Sequence, residues 1–231
     1  MAEEKEIIIS GGGIGGTAAA LALSRKGRGV HLLEQSSEFA EIGAGIQLGP
    51  NIFRMFQVLG VTEAINDVAV FPDALIMNDA LSGKEIMRVT LGDPIKKAFG
   101  FPYAVIYRPD VHNVLLKACT DSPLVRLSVN QKVTGFEDTG EGVRVITEAG
   151  DVHEGAALIG AGGLWSNVRE KLVGDGKPRV SGHIAYRAVL PIEEVPEGRR
   201  DETVILWAGP KTHLVTYPLH RGEEPGRGLS Q

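Results

Sequence analysis

The sequence predicts an α/β fold in which a parallel, nucleotide-binding layer is interrupted by segments that build a second, antiparallel sheet. Three observations predict it. A strand, a glycine turn, a helix and a second strand follow one another within the first 34 residues. Strands and helices continue to alternate over roughly 100–177, whereas 71–99 and 178–231 read as strands in succession. Alternation favours parallel pairing through crossovers, and succession favours hairpins.

Glu6 to Ser10 is a short β-branched apolar run, the pattern of a buried parallel strand. Gly11 to Gly13 breaks it, and Ile14 to Lys26 is an Ala/Leu-rich helix ended by the glycines at 27 and 29. Val30 to Leu33 is the second strand, which completes a right-handed βαβ unit. Pro50 to Leu59 and Thr62 to Val70 read as helices, and the glycine-flanked segment between Glu41 and Asn51 as a loop. Ala74 to Asp79 and Lys84 to Leu91 read as a hairpin joined by Leu81-Ser82-Gly83. Tyr103 to Tyr107 is extended, and Pro109 to Cys119 is a helix with Pro109 and Asp110 in its first turn, where both are favoured.

Strands follow at 125–129, 132–137, 143–147 and 156–160, then a helix at 165–173. Three longer strands are expected at His183–Leu190, Thr203–Trp207 and His213–Tyr217. The domain reading is therefore discontinuous: 1–70 and 100–177 form the nucleotide-binding domain, and 71–99 with 178–231 an incomplete second sheet.

Composition narrows the function. The chain is 43% hydrophobic and 23% charged with a net charge of −5, which is globular and offers no basic stripe for nucleic acid. A lone cysteine, Cys119, excludes an internal disulfide and reads as a buried structural thiol in a reducing compartment. No apolar stretch approaches a membrane span, and the acidic start does not resemble a secretory signal, so the expected location is cytoplasmic. No His/Cys/carboxylate cluster has metal-ligand spacing, and no serine nucleophile elbow is recognisable.

Gly11, Gly13 and Gly16 form a G-x-G-x-x-G turn between strand and helix, which also contains Ile14 and Gly15. The first glycine allows the turn, the second lets backbone approach a pyrophosphate, and the third lets helix and strand pack closely. The pyrophosphate then meets free N–H groups at the positive end of a helix. Glu34 ends the second strand, where a carboxylate accepts hydrogen bonds from ribose hydroxyls and repels a 2′-phosphate. The motif predicts a Rossmann-like dinucleotide site but does not choose between NAD and FAD.

Three further segments carry a resemblance: Glu41 to Asn51 (EIGAGIQLGPN), Tyr107 to His112 (YRPDVH) and Gly160 to Arg169 (GAGGLWSNVR). With the opening motif they resemble the group A flavin-dependent aromatic hydroxylases, in order and spacing, from about residue 5 to about 221. The likeness is greatest to 3-hydroxybenzoate 6-hydroxylases, with salicylate hydroxylases close behind. It implies an FAD-binding domain with an inserted antiparallel substrate sheet. The activity implied is hydroxylation of a small aromatic acid in aromatic compound catabolism. FAD would be the cofactor, NADH or NADPH the reductant and oxygen the co-substrate, with 3-hydroxybenzoate to gentisate the leading reaction.

The same resemblance implies residue roles. Arg108 would contact the FAD phosphates or adenosine side, and a surface ion pair is the plainer alternative. Gln47 would lie beside the isoalloxazine ring, or be a polar loop residue. Val133 and Gln35 would reach the adenine side. His213 and Tyr217, four apart and so on one face of a strand, match the phenol-binding positions, with His213 as proton acceptor and Tyr217 as relay. A half-buried sheet face explains the same pair. His31 lies in a strand, His112 and His153 in surface elements, and His220 near the end; His183, Tyr186 and Arg187 open a strand that could line the pocket.

Two departures from the pattern stand out. Gly162 occupies a position where the family carries a carboxylate, and the segment after Leu219 lacks the family's next strand, so the chain reads as truncated. Competing readings are a salicylate hydroxylase, an FAD-binding remnant without turnover, and an NAD-linked dehydrogenase, which fits the first 34 residues alone. The sequence leaves the oligomeric state open, a homodimer included.

Overall fold

The computed structural model describes residues 5–40, 43–219 and 229–230. Strand β1 (Ile7–Ser10), helix α1 (Ile14–Ser24) and strand β2 (Val30–Leu33) come first. Next are β3 (Gly45–Leu48), α2 (Pro50–Leu59), α3 (Thr62–Val68), β4 (Ala69–Val70), β5 (Ala74–Asp79), β6 (Glu85–Thr90), α4 (Asp93–Phe99) and β7 (Ala104–Tyr107). Helix α5 (Arg108–Thr120) leads into β8 (Val125–Ser128), β9 (Val133–Asp138), β10 (Val143–Thr147), β11 (Val152–Gly155), β12 (Ala157–Gly160) and α6 (Asn167–Val173). The order ends with β13 (Thr203–Ala208), β14 (His213–Pro218) and the short β15 (Leu229–Ser230).

Backbone proximity divides the chain into two compact units, Met1–Glu41 with His112–His183, and Ile42–Val111 with Ile184–Gln231. In the first, β12, β1, β2 and β8 form a parallel sheet in that order, with Ile7 opposite both Ala157 and Val30. A central parallel strand is buried on both faces, which is why β1 is a run of isoleucines: Ile8 and Ile9 are fully buried. A meander of β9, β10 and β11 packs beside it around Ile8, Leu33, Val133, Val143, Val145 and Val168. Cys119 is buried as expected, its thiol donating to the Thr17 carbonyl at 3.3 Å. Burial pushes that thiol up to about 11, so it is not a nucleophile.

In the second unit, β15, β14, β13, β5 and β6 form a five-stranded sheet. The β5–β6 hairpin is present, its turn fastened by Asp79 Oδ1 accepting from the Ser82 N–H at 2.6 Å. The sheet is mixed, because β13 runs parallel to β5 with Thr203 opposite Ala74. These two strands lie far apart in sequence, so no hairpin constrains their direction. A smaller antiparallel sheet orders β3, β7 and β4. Val70, Val105, Val204, Tyr217 and Leu219 form one hydrophobic core cluster of this unit.

Several expectations are corrected. His183–Leu190 is not a strand; only Val189 makes an isolated bridge, and Ile184 and Tyr186 are 76% and 84% exposed. Among the described residues the segment has no ladder beyond the Val189 bridge, and propensity without a paired ladder does not make a strand. The loop expected at 41–51 contains β3, α4 and β11 were not anticipated, and Ala69–Val70 leave the helix to pair with β7. The helix at 165–173 begins at Asn167, capped by the Ser166 hydroxyl. The tail expected to lack structure, with His220, lies outside the described residues apart from 229–230, and so do Glu41 and Ile42. Among the described residues no helix is long and apolar enough to cross a membrane.

Candidate functional site

The glycine turn forms because the β1–α1 connection has no room for side chains. Gly11 has φ +113°, and a Cβ there would lie 2.5 Å from the Ala161 carbonyl oxygen. A Cβ on Gly16 would lie 1.8 Å from the Gly11 carbonyl oxygen, so the third glycine lets α1 start against the turn. At Gly12 a Cβ would meet the Phe39 ring at 2.4 Å. Gly13 is the N-cap of α1; no side chain caps this end and no acidic residue occupies the first turn. The N–H groups of Ile14, Gly15 and Gly16 therefore face outward from a helix end of partial positive charge, which suits an anion. Gly15 is exposed, with open space where its Cβ would be.

Glu34, at the end of β2, is half-buried and already holds the turn. Its Oε2 accepts from the Gly12 N–H at 2.7 Å and its Oε1 from the Ser36 N–H at 2.9 Å. A carboxylate offers about four acceptor positions, so lone pairs remain on both oxygens. Gln35, beside it, is exposed. Val133 is buried, and its carbonyl accepts from Asn167 Nδ2 at 2.8 Å.

His112 is not a surface residue: it is fully buried, with Nε2 at 2.7 Å from the Gly12 carbonyl. Helical periodicity held the clue, since His112, Leu115 and Cys119 at i, i+3 and i+7 share one face of α5. His31 is also buried and bonds Ser128 Oγ through Nε2 at 2.8 Å. Burial first, then the nearby charges of Arg126 and His153, push its pKa from 6.5 down to about 4. Gly162 has φ −72° and ψ 11°, which any residue adopts, and its Cβ would make ordinary contact with Ser166 at 3.4 Å. An open groove of about 600 Å³ runs past Trp165, Arg169, Lys177 and Arg179, and none of the motif glycines lines it.

In the second unit, Gln47 sits on β3 opposite Val105, exposed, and its Oε1 accepts from the Tyr103 hydroxyl at 2.5 Å. Burial and the neighbouring Tyr217 phenol push the Tyr103 hydroxyl up to about 12, so it stays a protonated donor. Sequence reasoning passed over Tyr103 because its partners are set by strand pairing. Tyr217 is 7% exposed and donates to the Gly45 carbonyl at 2.6 Å. His213, on the same face of β14, is exposed. Arg108 opens α5, its N–H donating to the Ala44 carbonyl at 3.1 Å and its stem lying against Gly43.

The chain is 46% identical over 217 residues to "3-hydroxybenzoate 6-hydroxylase 1" of Aquipseudomonas alcaligenes, covering 94% of this chain and 55% of the relative. It is 44% identical over 224 residues to the 3-hydroxybenzoate 6-hydroxylase of Klebsiella oxytoca, covering 97% and 56%. It thus spans about half the length of the curated relatives it matches. Among solved structures, Klebsiella pneumoniae HpxO complexed with FAD and uric acid superposes with a TM-score of 0.84 at 23% identity, covering 98% of this chain and 55% of that one. That likeness establishes the shared fold. The profile of the FAD binding domain matches residues 4–210, nearly the whole chain, so this protein belongs to the FAD-binding-domain family.

Proposed function

We propose that this chain carries the FAD-holding part of a flavin-dependent aromatic monooxygenase that converts 3-hydroxybenzoate to gentisate with NADH or NADPH and oxygen. The observation that carries this reading is the 46% identity maintained over 94% of the chain. The turn fits the cofactor: an uncapped helix end with no acidic residue in its first turn, approached by a backbone that excludes side chains at 11, 12 and 16.

In this reading the N–H groups of Gly13, Ile14, Gly15 and Gly16 bind the FAD pyrophosphate, with Gly11 shaping the turn. Glu34 spends part of its acceptor capacity on Gly12 and offers the rest to the ribose hydroxyls. Gln35 and Val133 border the adenine side, and Arg108 serves the phosphates. Gln47, oriented by Tyr103, serves the flavin ring. FAD, when bound, would supply the redox and oxygen chemistry. The protein must draw the phenol proton away and exclude water. His213 is the acceptor for that proton, and Tyr217 lines the same strand face. The lone cysteine supports a cytoplasmic location, and size-exclusion chromatography tests whether the chain forms a homodimer.

Purified protein should be yellow, and 3-hydroxybenzoate should stimulate its NADH oxidation with gentisate as product. Catechol from salicylate would redirect the substrate assignment. Bound flavin without any hydroxylation would restrict the reading to FAD binding, and a colourless protein that takes up no FAD would refute it.

A further inference from the structure

A glycine turn that binds an anion faces an orientation problem. Each peptide plane can present its N–H or its C=O to the ligand, and glycine has no side chain to bias the choice. Here both polar atoms of Gly12 are held from outside the motif. Its N–H donates to Glu34 Oε2 at 2.7 Å, and its carbonyl lies 2.7 Å from Nε2 of the fully buried His112. A carbonyl oxygen only accepts, so the ring nitrogen is the donor and the Nε2–H tautomer is defined. Among the described residues Nδ1 has no hydrogen-bond partner, so the bond to Gly12 is the one the ring makes there. Phe39 fills the space beside the Gly12 Cα.

No peptide bond is cis among the described residues. In a planar trans peptide the N–H of the following residue points opposite to the carbonyl. With the Gly12 carbonyl turned inward to His112, the Gly13 N–H turns away from it, next to the uncapped first turn of α1. We propose that His112 is a positioning residue for pyrophosphate binding: its Nε2–H holds the Gly12 carbonyl inward so that the Gly13 N–H meets the phosphate oxygens. Without that donor the Gly12–Gly13 peptide is free to rotate and can present a carbonyl oxygen, of like partial charge, to the anion. The inference rests on the FAD reading above and assigns a residue outside the glycine motif to the same site.

The test uses the full chain, freed of flavin, and ADP as the probe of the pyrophosphate half-site. By titration calorimetry, His112→Leu should weaken ADP binding by about 10-fold or more, the scale of losing one buried hydrogen bond. His112→Gln, whose amide N–H can replace the imidazole donor, should recover most of that loss. In wild-type protein labelled with 15N, ADP should move the Gly13 amide resonance far more than that of Gly12, whose N–H stays on Glu34. Wild-type ADP affinity in His112→Leu overturns the proposal, and so does His112→Gln being no better than His112→Leu, which would mean a packing role. If neither variant folds, a Gly13 amide unmoved by saturating ADP overturns it instead. Wild-type protein that binds neither ADP nor FAD removes the FAD reading itself, and the inference with it.

Discussion

The Tyr217 hydroxyl donates to the Gly45 carbonyl at 2.6 Å, and the Tyr217 ring lies where a Gly45 side chain would be, 2.3 Å from an ideal Cβ. The contact fastens β14 to β3 within one unit. It also makes Tyr217 a member of the apolar core beside Val105 and Leu219, whatever its part in catalysis.

Gly45→Ala must therefore push the Tyr217 ring aside. It should cost about 1–3 kcal/mol, the usual scale of overpacking, read as a lower urea midpoint at unchanged slope. Tyr217→Phe keeps the ring and removes its hydrogen bond to the Gly45 carbonyl, and should cost about 0.5–1.5 kcal/mol, the usual net scale of one hydrogen bond. Stability equal to wild type in both variants would show that the two strands are not joined here.

Glu34 serves the turn as well as the proposed ribose. Glu34→Ala removes the acceptor for the Gly12 N–H and should weaken FAD by about 10-fold or more, since hydrogen bonds to charged groups contribute about 1.5–3 kcal/mol. Fluorescence titration with FAD measures it. An unchanged affinity would mean that neither bond matters to the cofactor.

His31 couples stability to pH. Its folded pKa of about 4 lies below the ordinary 6.5, so the native state favours the neutral ring. Its contribution is fully present above 6.5 and is lost as pH falls from 6.5 through 4. Carboxylates titrate in the same range, so the comparison is with His31→Gln, whose amide can keep the bond to Ser128 without taking a proton. Wild-type protein should lose stability more steeply than this variant between pH 6.5 and 4 in urea melts. Parallel curves would refute the assignment.

Gly162 stands where the resemblance places a carboxylate, and its backbone accepts any side chain. Gly162→Asp should change stability by no more than about 0.5 kcal/mol, as surface substitutions usually do. It should raise flavin retention through gel filtration. Loss of folding, or unchanged retention, would count against the sequence comparison at this position.

The elements that were legible in the sequence are those decided locally. The isoleucines of β1, the glycines of the turn and the Pro50 start of α2 each answer to near neighbours, by burial, by φ or by a missing N–H. Gly11, Gly16 and Glu34 could be placed on a strand–turn–helix unit before any coordinates, because the motif and its spacing occupy one βαβ segment. The ladder that makes β3 a strand was not legible, since Gly45 to Leu48 pair with residues near 105, across nearly 60 positions of chain. His183–Leu190 failed in the opposite sense: its composition suits a strand, but among the described residues only Val189 bridges a neighbour.

By itself, then, the sequence determined the dinucleotide turn, the βαβ unit and the order of alternating elements, because these depend on periodicity and on what glycine and proline permit. Only the tertiary structure decided that β13 joins β5 in parallel, that Tyr217 is core, and that a buried histidine 100 residues away holds the Gly12 carbonyl. Those outcomes depend on which surfaces meet after the chain has closed, and hydrogen bonds made across such distances leave no period in the sequence.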